Sequence, residues 1–253
     1  MTLLNTSTPR VLSIAGTDPT GGAGIQADLK SIAASGGYGM CATTALVAQN
    51  TQGVRSIFAP PTEFLQEQLA AVFDDVTVDA VKIGMLGDVE TITTVKTWLA
   101  EHPVPVVVLD PVMVASSGDR LISQDAEQAL RELVAQANVI TPNIAELAVL
   151  CESNPAQTLK EAHHQAAQLA GSTGTTVIVK GGHLTGEDAG NSAVFPNGTH
   201  THVAVTRIQT KNTHGTGCSL SSSLATRLGL ALVNGNNELS VRVLTNALAW
   251  STR

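Results

Sequence analysis

Residues 104–109, Val-Pro-Val-Val-Val-Leu, present no polar face at all. A β-strand sends successive side chains to opposite sides, so such a run must be covered twice, as in a parallel sheet between two helix layers. Similar runs recur at 11–15, 41–47, 78–83, 138–143 and 175–179. Between and beyond them, residues 25–34, 63–73, 89–100, 121–137, 144–150, 159–170 and 220–232 carry helical periodicity. In the second of these segments Phe64, Leu65, Leu69, Val72 and Phe73 are expected on one face. Asn197-Gly198 sits between alternating runs at 192–195 and 201–208 and predicts an antiparallel edge hairpin. No linker, low-complexity segment or internal repeat interrupts the pattern, so a single α/β domain over 1–253 is expected. Residues 1–9 are polar, lack signal-peptide order and read as a loose lead-in.

Composition narrows the partners. The only aromatics are two Trp, one Tyr and four Phe, too few for a base-stacking surface. A net charge of −7 also speaks against nucleic-acid or membrane partners. Cys41, Cys151 and Cys218 are odd in number, far apart and without zinc-ligand spacing, which suits a reducing, cytoplasmic setting. Cys41 and Cys151 lie in apolar surroundings and read as inert thiols.

The chemistry gathers at Lys211-Asn-Thr-His-Gly-Thr-Gly-Cys-Ser-Leu, residues 211–220. A glycine turn opening a helix exposes unpaired N–H groups at the positive end of the dipole, a cradle for an anion. His214 and Cys218 flank that cradle, and both His214 and the helix start favour a Cys218 thiolate. An ordinary capped glycine loop is the competing reading. A second glycine turn, residues 16–24, lacks Gly-x-Gly-x-x-Gly, and neither Asp18 nor Asp28 stands where a ribose-binding acid belongs. That disfavours a Rossmann dehydrogenase. Gln49, Asp110, Asn143 and Lys180 all follow strand-like runs, where open parallel sheets bind ligands, although each could also be a cap or turn residue. The set suits phosphoryl transfer: Lys180 to meet a phosphate, Asp110 and Glu146 to hold Mg²⁺. A Walker-type P-loop is absent.

Seven stretches carry a family resemblance. They are Ala15-Gly-Thr-Asp-Pro-Thr-Gly-Gly-Ala-Gly-Ile-Gln-Ala-Asp-Leu-Lys, Thr44-Ala-Leu-Val-Ala-Gln-Asn-Thr, Lys82-Ile-Gly-Met-Leu, Leu109-Asp-Pro-Val-Met, Ile140-Thr-Pro-Asn, Val179-Lys-Gly-Gly-His and Asn212-Thr-His-Gly-Thr-Gly-Cys. In this order they resemble the hydroxymethylpyrimidine and phosphomethylpyrimidine kinases of thiamin biosynthesis, of the ribokinase superfamily. The resemblance implies a three-layer ribokinase-like sandwich. It also implies an ATP- and Mg²⁺-dependent enzyme that phosphorylates a hydroxymethylpyrimidine and then its monophosphate. It places Gln49 at the pyrimidine ring, Ala23, Val47, Met85 and Val112 in the pocket wall, and Asp28 on the substrate side. Gly215, Thr216 and Gly217 would form the anion hole. Cys218 stands where the superfamily's sugar kinases carry an Asp base, and Asn143, Glu146 and Lys180 match phosphate and metal positions.

The family usually runs on past Trp250-Ser-Thr-Arg253, so a trimmed chain or one module of a longer thiamin-biosynthesis polypeptide is expected. A homodimer is compatible with the pattern. His163 and His164 read as solvated helix surface, while His200 and His202 share a strand face without an evident third ligand. Pyridoxal kinase and a non-catalytic pyrimidine-binding module remain as alternative readings.

Overall fold

The computed structural model describes residues 8–113, 122–183, 187–210, 213–236 and 238–252. The expected lead-in lies almost wholly outside these residues, as do Leu121, Lys211, Asn212 and Arg253 from the segments discussed above. In chain order the elements are β1 (Arg10–Gly16), α1 (Gly24–Ala34), β2 (Tyr38–Asn50), β3 (Gly53–Phe58), α2 (Thr62–Phe73), β4 (Ala80–Ile83) and α3 (Val89–Glu101). Then come β5 (Val107–Leu109), α4 (Gln124–Val134), β6 (Val139–Ile140), α5 (Ile144–Leu150), α6 (Leu159–Thr173) and β7 (Thr176–Lys180). β8 (Asn191–Val194), β9 (His200–Val203), α7 (Thr216–Val233) and α8 (Val241–Ser251) complete the chain.

The strands form one sheet in the order β3-β2-β1-β4-β5-β6-β7-β8-β9. β2, β1, β4, β5, β6 and β7 pair in parallel, while β3, β8 and β9 are antiparallel. Alternation along the strands divides the core into two layers. Leu12, Ile14, Val81, Ile83, Val107 and Leu109 meet α2 through α6 on one face. Val11, Ala80, Val106 and Val108 meet α1, α7 and α8 on the other. This is the three-layer sandwich that the twice-covered strands predict. The strand order reverses at β1, whose neighbours are β2 on one side and β4 on the other. A crevice beyond the carboxyl ends at such a switch point is where α/β sheets bind ligands. Among the described residues no helix is long and apolar enough to cross a membrane.

Several expectations need correction. The hairpin at 197–198 is present, but β2 and β3 form a second antiparallel edge that the periodicity does not reveal. Residues 53–58 place Ile57 and Phe58 side by side, which breaks a period of two, and most of the strand is exposed. In α2 only Leu65 and Leu69 are buried, and Phe64 is 54% exposed. β6 is two residues long, and Asn143 caps α5 instead of closing a strand.

One polar cluster lies inside the layer beneath α1 and α7. Ser13 on β1 and Lys82 on β4 are register partners, pointing away from Leu12 and Ile83. Lys82 Nζ donates to both oxygens of Asp28 on α1, each at 2.8 Å, with both side chains 0% exposed. Ser13 Oγ and Ser222 Oγ on α7 donate to the same carboxylate at 2.6 and 2.7 Å. Removing one partner of a buried pair strands the other charge, which typically costs about 3–5 kcal/mol, whereas replacing both by apolar groups is often near neutral. Lys82→Met should therefore lose about 3–5 kcal/mol of unfolding free energy, and adding Asp28→Leu should recover most of it. Urea unfolding of the three proteins checks this, and a single variant as stable as the double would mean the pair is energetically idle.

Candidate functional site

Two glycine turns converge above the carboxyl ends of β1, β4 and β5. The first, residues 17–23, leads from β1 into α1; the second, ending at Gly215, caps α7. They touch backbone to backbone. Gly215 holds φ +77°, and a Cβ there would fall on the carbonyl oxygen of Gly22. Only glycine gives this conformation and this approach. The start of α7 therefore lies beside the start of α1.

Opposite the head of α7 stands the polar set from the later strands. A Cβ on Gly217 would lie 3.5 Å from Lys180 Nζ and 3.6 Å from Asp110 Oδ2, so Gly217, Lys180 and Asp110 face one another. Lys180 Nζ donates to Asp110 Oδ1 at 3.1 Å and lies 3.8 Å from Glu146 Oε2. The Thr141 hydroxyl also donates to Asp110 at 3.0 Å, while the Ser221 hydroxyl lies 3.3 Å from Asp110 and closer, at 3.0 Å, to the Gly217 carbonyl. Asn143 and Glu146 form a reciprocal capping box at the start of α5: Asn143 Oδ1 accepts the Glu146 N–H at 2.9 Å, and Glu146 Oε2 accepts the Asn143 N–H at 2.8 Å.

The two carboxyls differ electrostatically. Burial works against an ionised Asp110, but Lys180 and then Lys82 outweigh it and hold the carboxyl below its usual range. Glu146 is pushed up to about 7, first by burial, which Lys180 only partly offsets while Asp110 adds repulsion. Burial would also lower Lys180, yet Asp110 and Glu146 raise it. For a magnesium ion the donor chemistry fits: Asp110 and Glu146 offer hard carboxylate oxygens of the kind Mg²⁺ takes, one or two at a time. Among the described residues no group of three or more His, Cys, Asp or Glu could cage a metal.

The pocket-wall positions come together in part. A Cβ on Gly16 would lie 2.6 Å from Met85 Cε and 3.5 Å from Val47 Cγ2, so Met85 and Val47 meet over Gly16. Thr44 Oγ1 donates to the Met85 carbonyl at 2.7 Å, fixing its backbone. A register shift between Ala48 and Gln49 in the β2–β3 pairing falls at Gln49, and such a shift re-aims a side chain. Beside it an open hollow of about 590 Å³ is lined by Thr17, Pro19, Val47 and Phe58, among others. Ala23 is the N-cap of α1, and Val112 follows the end of β5 with its N–H on the Asp110 carbonyl at 2.8 Å.

Three expected roles change. Asp28 is fully buried with Lys82, Ser13 and Ser222 on its oxygens, so it supports the site from below and offers no oxygen to a substrate. His214 Nε2 lies 2.8 Å from Asp18 Oδ2, so that nitrogen is engaged by the first glycine turn. The Cys218 thiol is pushed up, chiefly by burial; Lys82 and the Gly24 N–H offset only part of it. Its resting form is the thiol, against the thiolate expected from the helix start. Lys82, Thr141, Ser221 and the Asp18–His214 pair have no place in the sequence-based site. Asp28 at helical spacing from Ile25 and Ile32 was the available sign of a buried charge. Elsewhere, burial raises the thiols of Cys41 and Cys151, the latter to about 11. His163 is half-buried with its ring 4.5 Å from His200, so it is not the solvated residue expected. His202 bonds to Asp188 and Ser192.

Comparison with known proteins places this geometry. Residues 18–235 match the family described as phosphomethylpyrimidine kinase. A thiamine biosynthesis multifunctional protein of Corynebacterium glutamicum is 59% identical over 98% of the chain, and a hydroxymethylpyrimidine/phosphomethylpyrimidine kinase of Escherichia coli is 46% identical over 85% of the chain and 80% of its own length. The chain spans about a third of the length of the Corynebacterium relatives, 31% and 32%. Among solved structures, a phosphomethylpyrimidine kinase from Clostridium difficile superimposes with a TM-score of 0.80 at 33% identity, covering 97% of this chain and 98% of its own. An ADP complex of Bacillus subtilis pyridoxal kinase gives a TM-score of 0.83 at 33% identity, covering 95% and 89%. By motif, fold and identity over nearly its whole length, the chain belongs to the phosphomethylpyrimidine kinase family.

Proposed function

We propose that the chain transfers the terminal phosphoryl group of ATP to the hydroxymethyl oxygen of 4-amino-5-hydroxymethyl-2-methylpyrimidine, and a second to the resulting monophosphate, in thiamin biosynthesis. The observation that carries this reading is Gly217 at the head of α7 facing Lys180 and Asp110. Phosphoryl transfer needs positioning and charge stabilisation more than covalent catalysis. The Gly215, Thr216 and Gly217 backbone and the dipole of α7 stabilise the charge on the moving group, and Lys180 meets the phosphate from the other side. Asn143 and its capping partner Glu146 hold the nucleotide side. When bound, Mg²⁺ neutralises phosphate charge, and Asp110 and Glu146 would hold it. Gln49 pairs with the aminopyrimidine edge through its donor and acceptor, with Ala23, Val47, Met85 and Val112 as walls. We place the enzyme in the cytoplasm, as a homodimer or as one module of a longer polypeptide; the Corynebacterium relatives named as multifunctional proteins support the latter. The likeness to pyridoxal kinase favours a second reading, transfer to the hydroxymethyl group of pyridoxal. Measuring ADP release from Mg·ATP with each alcohol decides between them, and release with neither would leave a non-catalytic binding module.

Three variants test the residue roles. An amide left unpaired against a ring costs about 1–3 kcal/mol, so Gln49→Leu should raise the pyrimidine KM roughly tenfold or more; an unchanged KM removes Gln49 from the pocket. Gly217→Val would drive γ-methyls toward Lys180 and Asp110, and losing one oxyanion-type contact typically costs ~10²–10³ in kcat. Near-normal turnover in folded Gly217→Val would mean that transfer happens elsewhere. General-base help is worth ~10²–10⁴-fold, and a buried neutral thiol supplies little of it. Cys218→Ala should therefore slow both phosphorylations by similar factors, below about 10²-fold, in single-turnover measurements. A much larger loss on the alcohol alone would restore Cys218 as a base.

A further inference from the structure

We infer that Asp18 is a positioning residue, which through His214 latches the anion-binding turn of α7 onto the β1–α1 turn; the inference rests on the transfer site proposed above. Asp18 is 0% exposed and accepts from both turns. Its own turn supplies the N–H groups of Thr20, Gly22 and Ala23 at 2.9, 3.1 and 2.8 Å and the Thr20 hydroxyl at 2.8 Å. The second turn supplies His214 Nε2 at 2.8 Å, from 196 residues along the chain. Burial opposes the ionised carboxyl, but His214 and the Thr20 and Ala23 donors together bring it down to about 2. An ionised carboxylate only accepts, so His214 Nε2 carries the proton and donates. Space is shaped for the contact: a Cβ on Gly22 would lie 2.6 Å from His214 Cδ2. Directly beyond His214, the Gly215–Gly22 backbone contact leaves no room for slippage.

The latch thus sets the distance between the N–H groups of the α7 turn and the pocket floor formed by the first turn. Donors aimed at developing charge lose their effect steeply when misplaced: a displacement of about 1 Å can cost ~10²-fold in rate. The loss belongs in kcat more than in KM, because Gln49 lies on β2, paired with Val54 of β3 and outside both turns.

The test uses Asp18→Asn, His214→Phe, His214→Gln and the double variant Asp18→Asn/His214→Phe. Phe keeps ring bulk against Gly22 without a donor; Gln keeps a donor. His214 is 24% exposed by side chain, so its variants carry the test if Asp18→Asn does not fold. Expected are a loss in kcat approaching ~10²-fold with the pyrimidine KM within about threefold, a double variant no worse than either single, and partial recovery in His214→Gln. Amide hydrogen exchange gives a readout independent of turnover: either single variant should speed exchange in both segments 17–24 and 213–219. Faster exchange confined to the mutated turn, or kcat losses that multiply in the double variant, would overturn the latch. Should the wild type release no ADP with the pyrimidine alcohol, the functional reading falls, and the exchange data still decide the latch.

Discussion

Everything above the sheet rests on an ion pair inside it. Lys82 and Asp28 have no access to water, and taking each ion out of solvent costs several kcal/mol. Pairing at 2.8 Å and two serine hydroxyls on the carboxylate offset that cost, and satisfying them requires four elements at fixed spacing: β1, β4, α1 and α7. With the two helices pinned to neighbouring strands, their N-termini emerge side by side at the switch point of the sheet. The turns that feed them must then share a narrow space. Gly22 and Gly215 follow from that geometry, since a side chain on either would occupy the other turn.

The parts of this arrangement readable from sequence were those written in local periodicity. Twice-covered strands such as β5 announce two helix layers, and the polar residues closing them, Asp110 and Lys180, fall where parallel sheets place ligands. β3 escaped because its two large apolar residues are adjacent and its exposed surface imposes no alternation. Asp28 was misplaced for a different reason. It lies in a glycine-rich motif that suggests ligand contact, yet at positions 25, 28 and 32 the helix turns Ile25, Asp28 and Ile32 to one buried face. A charge on that face calls for a buried partner, and Lys82, a lone cation in an apolar strand, was its match. The Asp18–His214 contact had no local signal, because 196 residues separate its partners and only the fold brings them together.

At the transfer site one cation serves two carboxyls. Lys180 sits closer to Asp110, at 3.1 Å, than to Glu146, at 3.8 Å, and the closer partner also draws on Thr141 and the field of Lys82. Asp110 is therefore held ionised, while burial and repulsion by Asp110 push the Glu146 carboxyl up to about 7. The division places the firm negative charge at Asp110, beside Lys180, and leaves Glu146 the less firmly charged of the two.

The same balance explains a cysteine where sugar kinases of the superfamily carry an aspartate. Position 218 lies within the fields of Asp28 and Asp110, both of which push its proton affinity up, against Lys82, which pulls it down. A third carboxylate there would be a buried anion beside two others, with both nearby lysines already engaged, and its desolvation would go uncompensated. A neutral thiol carries no such penalty. It stands where the starts of α1 and α7 meet, and the nearby Gly24 N–H lowers its proton affinity only in part. A loose transition state asks little of a base, since the acceptor oxygen need lose its proton only late. Cysteine at this position therefore suits the proposed catalysis by placement, in which the start of α7 stabilises the transferred charge and the residue behind it adds no buried anion.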